Sequence, residues 1–147
     1  MGKTYLSRFF FFLVIGWWSL LDVEATAYSL RQFSSKNGLS NSAILSICQD
    51  CDGLIWIGSC DGLNVFDGTE LRLYKPVDVR NNLSGNLIDN IMEAEDHVLW
   101  IQTNYGLDRF DTHLQTVQRF KDFQDISCMA KTRENDVLVI KLSLIHI

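Results

Sequence analysis

Leu39-Ser40-Asn41-Ser42-Ala43-Ile44-Leu45-Ser46-Ile47 lies over Leu83-Ser84-Gly85-Asn86-Leu87-Ile88-Asp89-Asn90-Ile91 at an offset of 44 residues. The register continues without a gap. Asp52 falls on Asp96, Trp56-Ile57 on Trp100-Ile101, Gly62-Leu63 on Gly106-Leu107, and Phe66-Asp67 on Phe110-Asp111. Between positions 39 and 67, 11 of 29 residues are identical, too ordered for chance. A third copy opens at Ile126 and reaches Val137-Leu138-Val139-Ile140, aligned with Val98-Leu99-Trp100-Ile101 after one extra residue. A fixed period of this size signals an array of like units, each burying its apolar faces against the next.

Within one period every local signal is for strand. Ala43 to Gln49 is an apolar run that ends in the Cys51-Asp52-Gly53 turn, and Leu54-Ile55-Trp56-Ile57-Gly58 is continuously apolar, as in a strand covered on both faces. Asp61-Gly62 and Asp67-Gly68 then separate Leu63–Phe66 from Thr69–Tyr74, and Asp-Gly between short runs predicts hairpins with type I′ turns. Four short strands in one period make a propeller blade. The expected fold is therefore all-β, an incomplete β-propeller with blade 1 at 39–82, blade 2 at 83–125 and the start of a third at 126–141. Trp56 and Trp100, Gly62 and Gly106 are its structural repeat residues, the tryptophans as core and the glycines as turns. A single Pro and no amphipathic helical stretch argue against helical repeats. WD-type repeats want Trp-Asp where this chain has Trp-Ile, and the Asp-box wants Asp where it has Cys51.

The N-terminus reads differently. Lys3 and Arg8 precede the apolar stretch Phe9–Leu21, and Ala25-Thr26-Ala27 supplies a small-x-small cleavage pattern. Residues 1–27 therefore read as a secretory signal peptide cut after Ala27, since a spanning helix needs about 20 apolar residues. The net charge is −5, with no Lys/Arg cluster to neutralise phosphates, so neither nucleic acid nor an anionic membrane is an expected partner of this segment. Cys48, Cys51, Cys60 and Cys128 lack the spacing of a disulfide framework or a zinc site, and read as small buried or turn residues. Residues 28–38 hold Leu30-Arg31-Gln32-Phe33, which resembles the outermost strands Leu71–Tyr74 and Val117–Phe120 and could close a ring. Residues 142–147 break the repeat and read as the translation of a transposon-end sequencing adapter, so the chain is expected to be a fragment.

From Asn37-Gly38-Leu39-Ser40-Asn41 through Gln49-Asp50-Cys51-Asp52-Gly53-Leu54-Ile55-Trp56-Ile57-Gly58 to Asp61–Gly68, the chain resembles the two-component regulator propeller repeat. The second copy, Asn82 to Asp111, is similar, with Gln102 where the family usually has Gly. The resemblance implies the N-terminal part of a periplasmic ligand sensor. Its parent would be a hybrid histidine kinase/response regulator anchored in the inner membrane by a later segment, dimeric, and responsive to an oligosaccharide from glycan breakdown. Other parents compatible with the same repeats are an exported propeller enzyme acting on polysaccharide, a diguanylate cyclase sensor and a non-hybrid kinase.

The residues themselves carry no expected catalytic group, cofactor or metal. His97 and His113 sit near turns without partners at ligand spacing, and Glu93, Glu95 and Asp96 lead into a turn, so all five read as solvated. Asn104 and Tyr105, in an inter-strand loop, are the candidate ligand contacts.

Overall fold

The computed structural model describes residues 29–74 and 81–141. The expected signal peptide with Ala25 and Ala27, and the tail 142–147, lie outside them. Among the described residues no helix is long and apolar enough to cross a membrane. Among the described residues, the 3-10 turn Ser35–Asn37 leads into the strands.

The first sheet contains β1 (Ile44–Gln49), β2 (Ile55–Ser59), β3 (Gly62–Phe66) and β4 (Leu71–Leu73) in sequential antiparallel order. A second repeats it with β5 (Ile88–Glu95), β6 (Val98–Thr103), β7 (Gly106–Asp111) and β8 (Thr116–Phe120). The pair β9 (Ile126–Lys131) and β10 (Val137–Lys141) forms a two-stranded third sheet. The first strands stand side by side, β1 against β5 and β5 against β9, as in the inner wall of a propeller. This is an incomplete β-propeller of two full blades and part of another.

The turns depart from the expected type. Gly53, Gly62 and Gly68 take positive φ, but Asp52, Asp61 and Asp67 do not, whereas type I′ needs both central residues there. The Asp side chains act instead as acceptors. Asp67 Oδ1 takes the N–H groups of Thr69 (2.9 Å) and Glu70 (2.8 Å), and Asp111 Oδ1 those of His113 (3.0 Å) and Leu114 (2.8 Å). The Glu70 N–H, followed by the Thr69 hydroxyl and N–H, holds the Asp67 carboxyl well below the ordinary carboxylate range. Residues 29–34, expected to supply a ring-closing strand to a last blade, have no regular structure among the described residues, and Phe33 packs its ring 4.9 Å from Phe66. A strand needs a neighbouring edge, and none pairs with this segment here.

Between blades 1 and 2 lies an apolar cluster of Trp56, Leu63, Ile88, Ile91, Leu99, Ile101 and Phe110. Phe110, fully buried, meets Trp56 edge-on at 5.7 Å and Tyr74 at 4.9 Å. Gly58 permits the blades to approach this closely: a Cβ there would stand 2.7 Å from Ile88 Cγ2 and 2.9 Å from the Ile88 carbonyl oxygen. At the equivalent position of blade 2, Gln102 donates from Nε2 to the Ile126 carbonyl at 2.9 Å. One joint is thus an apolar close approach, and the next is bridged by a side-chain hydrogen bond.

The two tryptophans differ likewise. Trp56 is buried, and its Nε1 donates to Asp50 Oδ2 at 2.7 Å; Asp50 Oδ1 also takes the N–H of Leu54 at 2.9 Å. Ala94 stands where Asp50 would, so the buried Trp100 Nε1 has no partner among the described residues. Trp100 is half-buried and stacks on Phe120, centroids 5.5 Å apart, beside Leu107 and Val139 of the outer cluster.

A polar clamp ties each blade's leading loop to its third strand. In blade 1, Asn64 Oδ1 accepts the Ser40 N–H (3.0 Å) and Asn64 Nδ2 donates to Ser40 Oγ (2.8 Å). In blade 2 the buried Asp108 takes both the N–H and the hydroxyl of Ser84, each at 2.5 Å. Burial pushes the Asp108 carboxyl above its ordinary range, against the pull of the Ser84 bonds and the Arg119 charge. An acid whose folded pKa is raised destabilises the fold once ionised, so its unfavourable contribution appears as pH rises through the carboxylate range. Asp108→Asn, which can copy the Asn64 clamp, is expected to equal or exceed wild type in urea melts at pH 7. Any such advantage should shrink on lowering the pH to about 4, and a variant less stable at pH 7 than at that lower pH, relative to wild type, would contradict this.

Candidate functional site

The β2–β3 and β6–β7 turns emerge at the same end of neighbouring blades, because the two sheets are equivalent and packed side by side. Between them lies a groove of about 380 Å³. Gly62 and Leu63 form one side, Tyr105 the other, and the segment Asn82–Asn86 runs along it, with Tyr74 also lining it. Asn86 Nδ2 donates to Asp61 Oδ1 at 2.9 Å, linking the leading loop of blade 2 to the turn of blade 1. Tyr74 Oη is buried and has no hydrogen-bond partner among the described residues, and desolvation raises its phenol pKa.

Tyr105 is 59% exposed and also borders a second hollow of about 310 Å³ with Ser84, Arg119, Lys121 and Gln124. Its ring therefore separates two polar-rimmed depressions. The turn holds it in place: Thr103 Oγ1 accepts the Tyr105 N–H at 3.2 Å and donates to the Gly106 carbonyl, also at 3.2 Å. Gly106, at φ 149°, completes the turn, as Gly62 does at φ 127° in blade 1. Asn104 is exposed beside Tyr105, and both lie over Gly85, where any added side chain would collide with them. Of the two loop residues singled out from sequence, Tyr105 lines the groove and Asn104 stands beside it over Gly85, with Gly62 also lining the groove and Gly106 shaping the turn. Trp56 is in the core and Trp100 beneath the outer strands, away from this end.

Ser84, Asn86 and Tyr74 were not singled out from sequence. Ser84 and Asn86 could have been noticed as polar residues opening the second repeat, but their nearness to the blade 1 turn depends on inter-blade packing.

His97 and His113 belong to the opposite end of the sheets. They are not the isolated turn residues that spacing suggests, since their rings are in contact, tilted by 37° with centroids 4.1 Å apart. Among the described cysteines, all four are free thiols, Cys51 and Cys128 exposed and Cys48 and Cys60 half-buried.

Comparison with known proteins follows the same lines. A family model described as two component regulator propeller matches residues 38–61. Histidine kinase P4 of Formosa agariphila is 36% identical over 55 residues, spanning 37% of this chain and 4% of that protein. In solved structures, the extracellular domain described as that of a hybrid two component system from B. thetaiotaomicron is similar at TM-score 0.66 and 25% identity, across 77% of this chain and 18% of that one. The extracellular domain of a one component system from the same organism is similar in fold, at TM-score 0.60 and 19% identity over 78% of this chain and 18% of that one. The chain therefore spans a small part of each of these relatives.

Proposed function

We propose, for a chain whose residues 38–61 are a two-component regulator propeller repeat, that it forms the start of the exported ligand-sensing region of a hybrid histidine kinase/response regulator. The kinase chemistry would reside elsewhere in the parent, which would be anchored in the inner membrane and dimeric. The observation that carries a ligand-binding role is Tyr105, an exposed aromatic ring fixed by its turn between two depressions rimmed with hydroxyl, amide and cationic groups. An aromatic face beside hydrogen-bonding groups suits a sugar ring, whose C–H face is apolar and whose edge is polar. An oligosaccharide released by glycan breakdown is the ligand class we assign.

The test is calorimetric titration of the complete exported region of the parent with a panel of plant, algal and host oligosaccharides. Binding of at least one sugar is expected, with Tyr105→Ala weakening it about tenfold, the equivalent of 1.4 kcal/mol. Leu114→Ala, exposed on the β7–β8 turn, should leave affinity unchanged. Sugar binding indifferent to Tyr105→Ala would overturn this groove as the site, and a panel without any binder would overturn the ligand class.

A further inference from the structure

At the end of the sheets opposite Tyr105, the β1–β2 turn of blade 1 meets the β5–β6 turn of blade 2. His97 Nδ1 lies 3.4 Å from Cys51 Sγ and 3.1 Å from Asp52 Oδ2. One donor atom from each of the three residues falls within a 4.8 Å span. We infer that Cys51, Asp52 and His97 form a site for a borderline divalent transition metal, of the Zn²⁺ class, that joins blade 1 to blade 2.

The distances fit this role. A tetrahedral zinc with ordinary bond lengths holds thiolate sulfur and imidazole nitrogen about 3.6 Å apart, and nitrogen and carboxylate oxygen about 3.3 Å apart. The two separations to His97 Nδ1 therefore already stand within a few tenths of an ångström of those required, and the Cys51 and Asp52 donors lie within 4.8 Å of each other. The ligand types are also selective, since thiolate and imidazole suit zinc, copper or nickel better than Mg²⁺ or Ca²⁺, which prefer all-oxygen sets. Further donors are adjacent. The His113 ring lies against that of His97, and Glu93 Oε1 accepts the backbone N–H of His97 at 3.1 Å. When ionised, Cys51, Asp52 and Glu93 together present negative charge that a cation would neutralise.

Placement of the ligands gives the metal a specific consequence. Cys51 and Asp52 are adjacent in one turn, while His97 comes from the next blade, held at φ 64° in its own turn. Binding would therefore add a cross-link at this end to two repeats joined by packing and by the Asn86–Asp61 hydrogen bond, and should stabilise their interface by mass action.

The probe is Co²⁺ titrated into the purified chain with a non-thiol reductant present, followed by competition with Zn²⁺. One equivalent of Co²⁺ should bind with a thiolate-to-metal charge-transfer band and the intense visible bands of tetrahedral cobalt, and Zn²⁺ should erase both. Cys51→Ser and His97→Asn should each abolish the charge-transfer band or weaken binding by more than the roughly 10–100-fold that loss of an outer-shell partner costs. Asn tolerates the positive φ at position 97, so that variant tests the site even should Cys51→Ser fold poorly. Cys128→Ser should bind as wild type. A missing band, a band that survives both site variants, or a band lost with Cys128 would each overturn the assignment.

Discussion

Replacing Phe110 with alanine is expected to lower the unfolding free energy by about 3–5 kcal/mol, the range for emptying a large buried aromatic position. Phe110 is completely inaccessible and lies where blade 2 meets blade 1, edge-on to Trp56 and tilted against Tyr74. Its loss removes buried area and two aromatic contacts, and leaves a void bounded by rigid strands from two sheets, which cannot collapse readily. Denaturant melts of wild type and variant measure the effect. A deficit under about 1 kcal/mol would mean that the inter-blade cluster is not the main source of cohesion.

Gly58→Ala should have a comparable effect through the opposite fault. The added methyl would meet Ser46 Oγ, which can rotate away, but also Ile88 Cγ2 at 2.7 Å and the Ile88 carbonyl at 2.9 Å. A backbone carbonyl in β5 can retreat only if blade 2 moves as a body. Overpacking of this kind costs about 1–3 kcal/mol, and the upper end is expected because backbone is involved. Amide exchange should locate the damage, with protection falling in β1, β2 and β5 and remaining in β7 and β8. Uniform loss of protection, or no loss, would contradict a fault confined to the joint.

Much of this architecture was legible because a propeller blade is written locally. Apolar runs separated by Asp-Gly located the four strands of blade 1 within a residue or two, and the 44-residue offset identified the equivalent positions in blade 2. The turn type was not legible, since Asp-Gly also serves turns in which the Asp carboxylate collects N–H groups and only the glycine takes positive φ. The segment around Leu30–Phe33 looks like an outer strand but makes none, because strand formation depends on an edge supplied from elsewhere. Asn104 and Tyr105 were visible as exposed loop residues. The groove was not, as its other wall comes from the neighbouring repeat. The meeting of Cys51 and Asp52 with His97 was hidden for the same reason: metal-ligand spacing along the chain says nothing about donors brought together across a blade joint. One signal was present and easily passed over. Aligning the repeats sets Ala94 opposite Asp50, which already announces that Trp100 must do without the partner Trp56 has.

That difference gives the molecule a built-in optical label. Beyond residue 27 the chain has two tryptophans, one in each four-stranded sheet. The indole of Trp56 is enclosed and hydrogen bonded to a carboxyl, whereas that of Trp100 is half-covered, unbonded at nitrogen and stacked on Phe120. Their emission should differ in wavelength and in quenching by solutes, so each blade reports its own state without any added dye. With Trp→Phe variants at either position, fluorescence can follow the two repeats separately, distinguishing a ring that opens blade by blade from one that opens all at once.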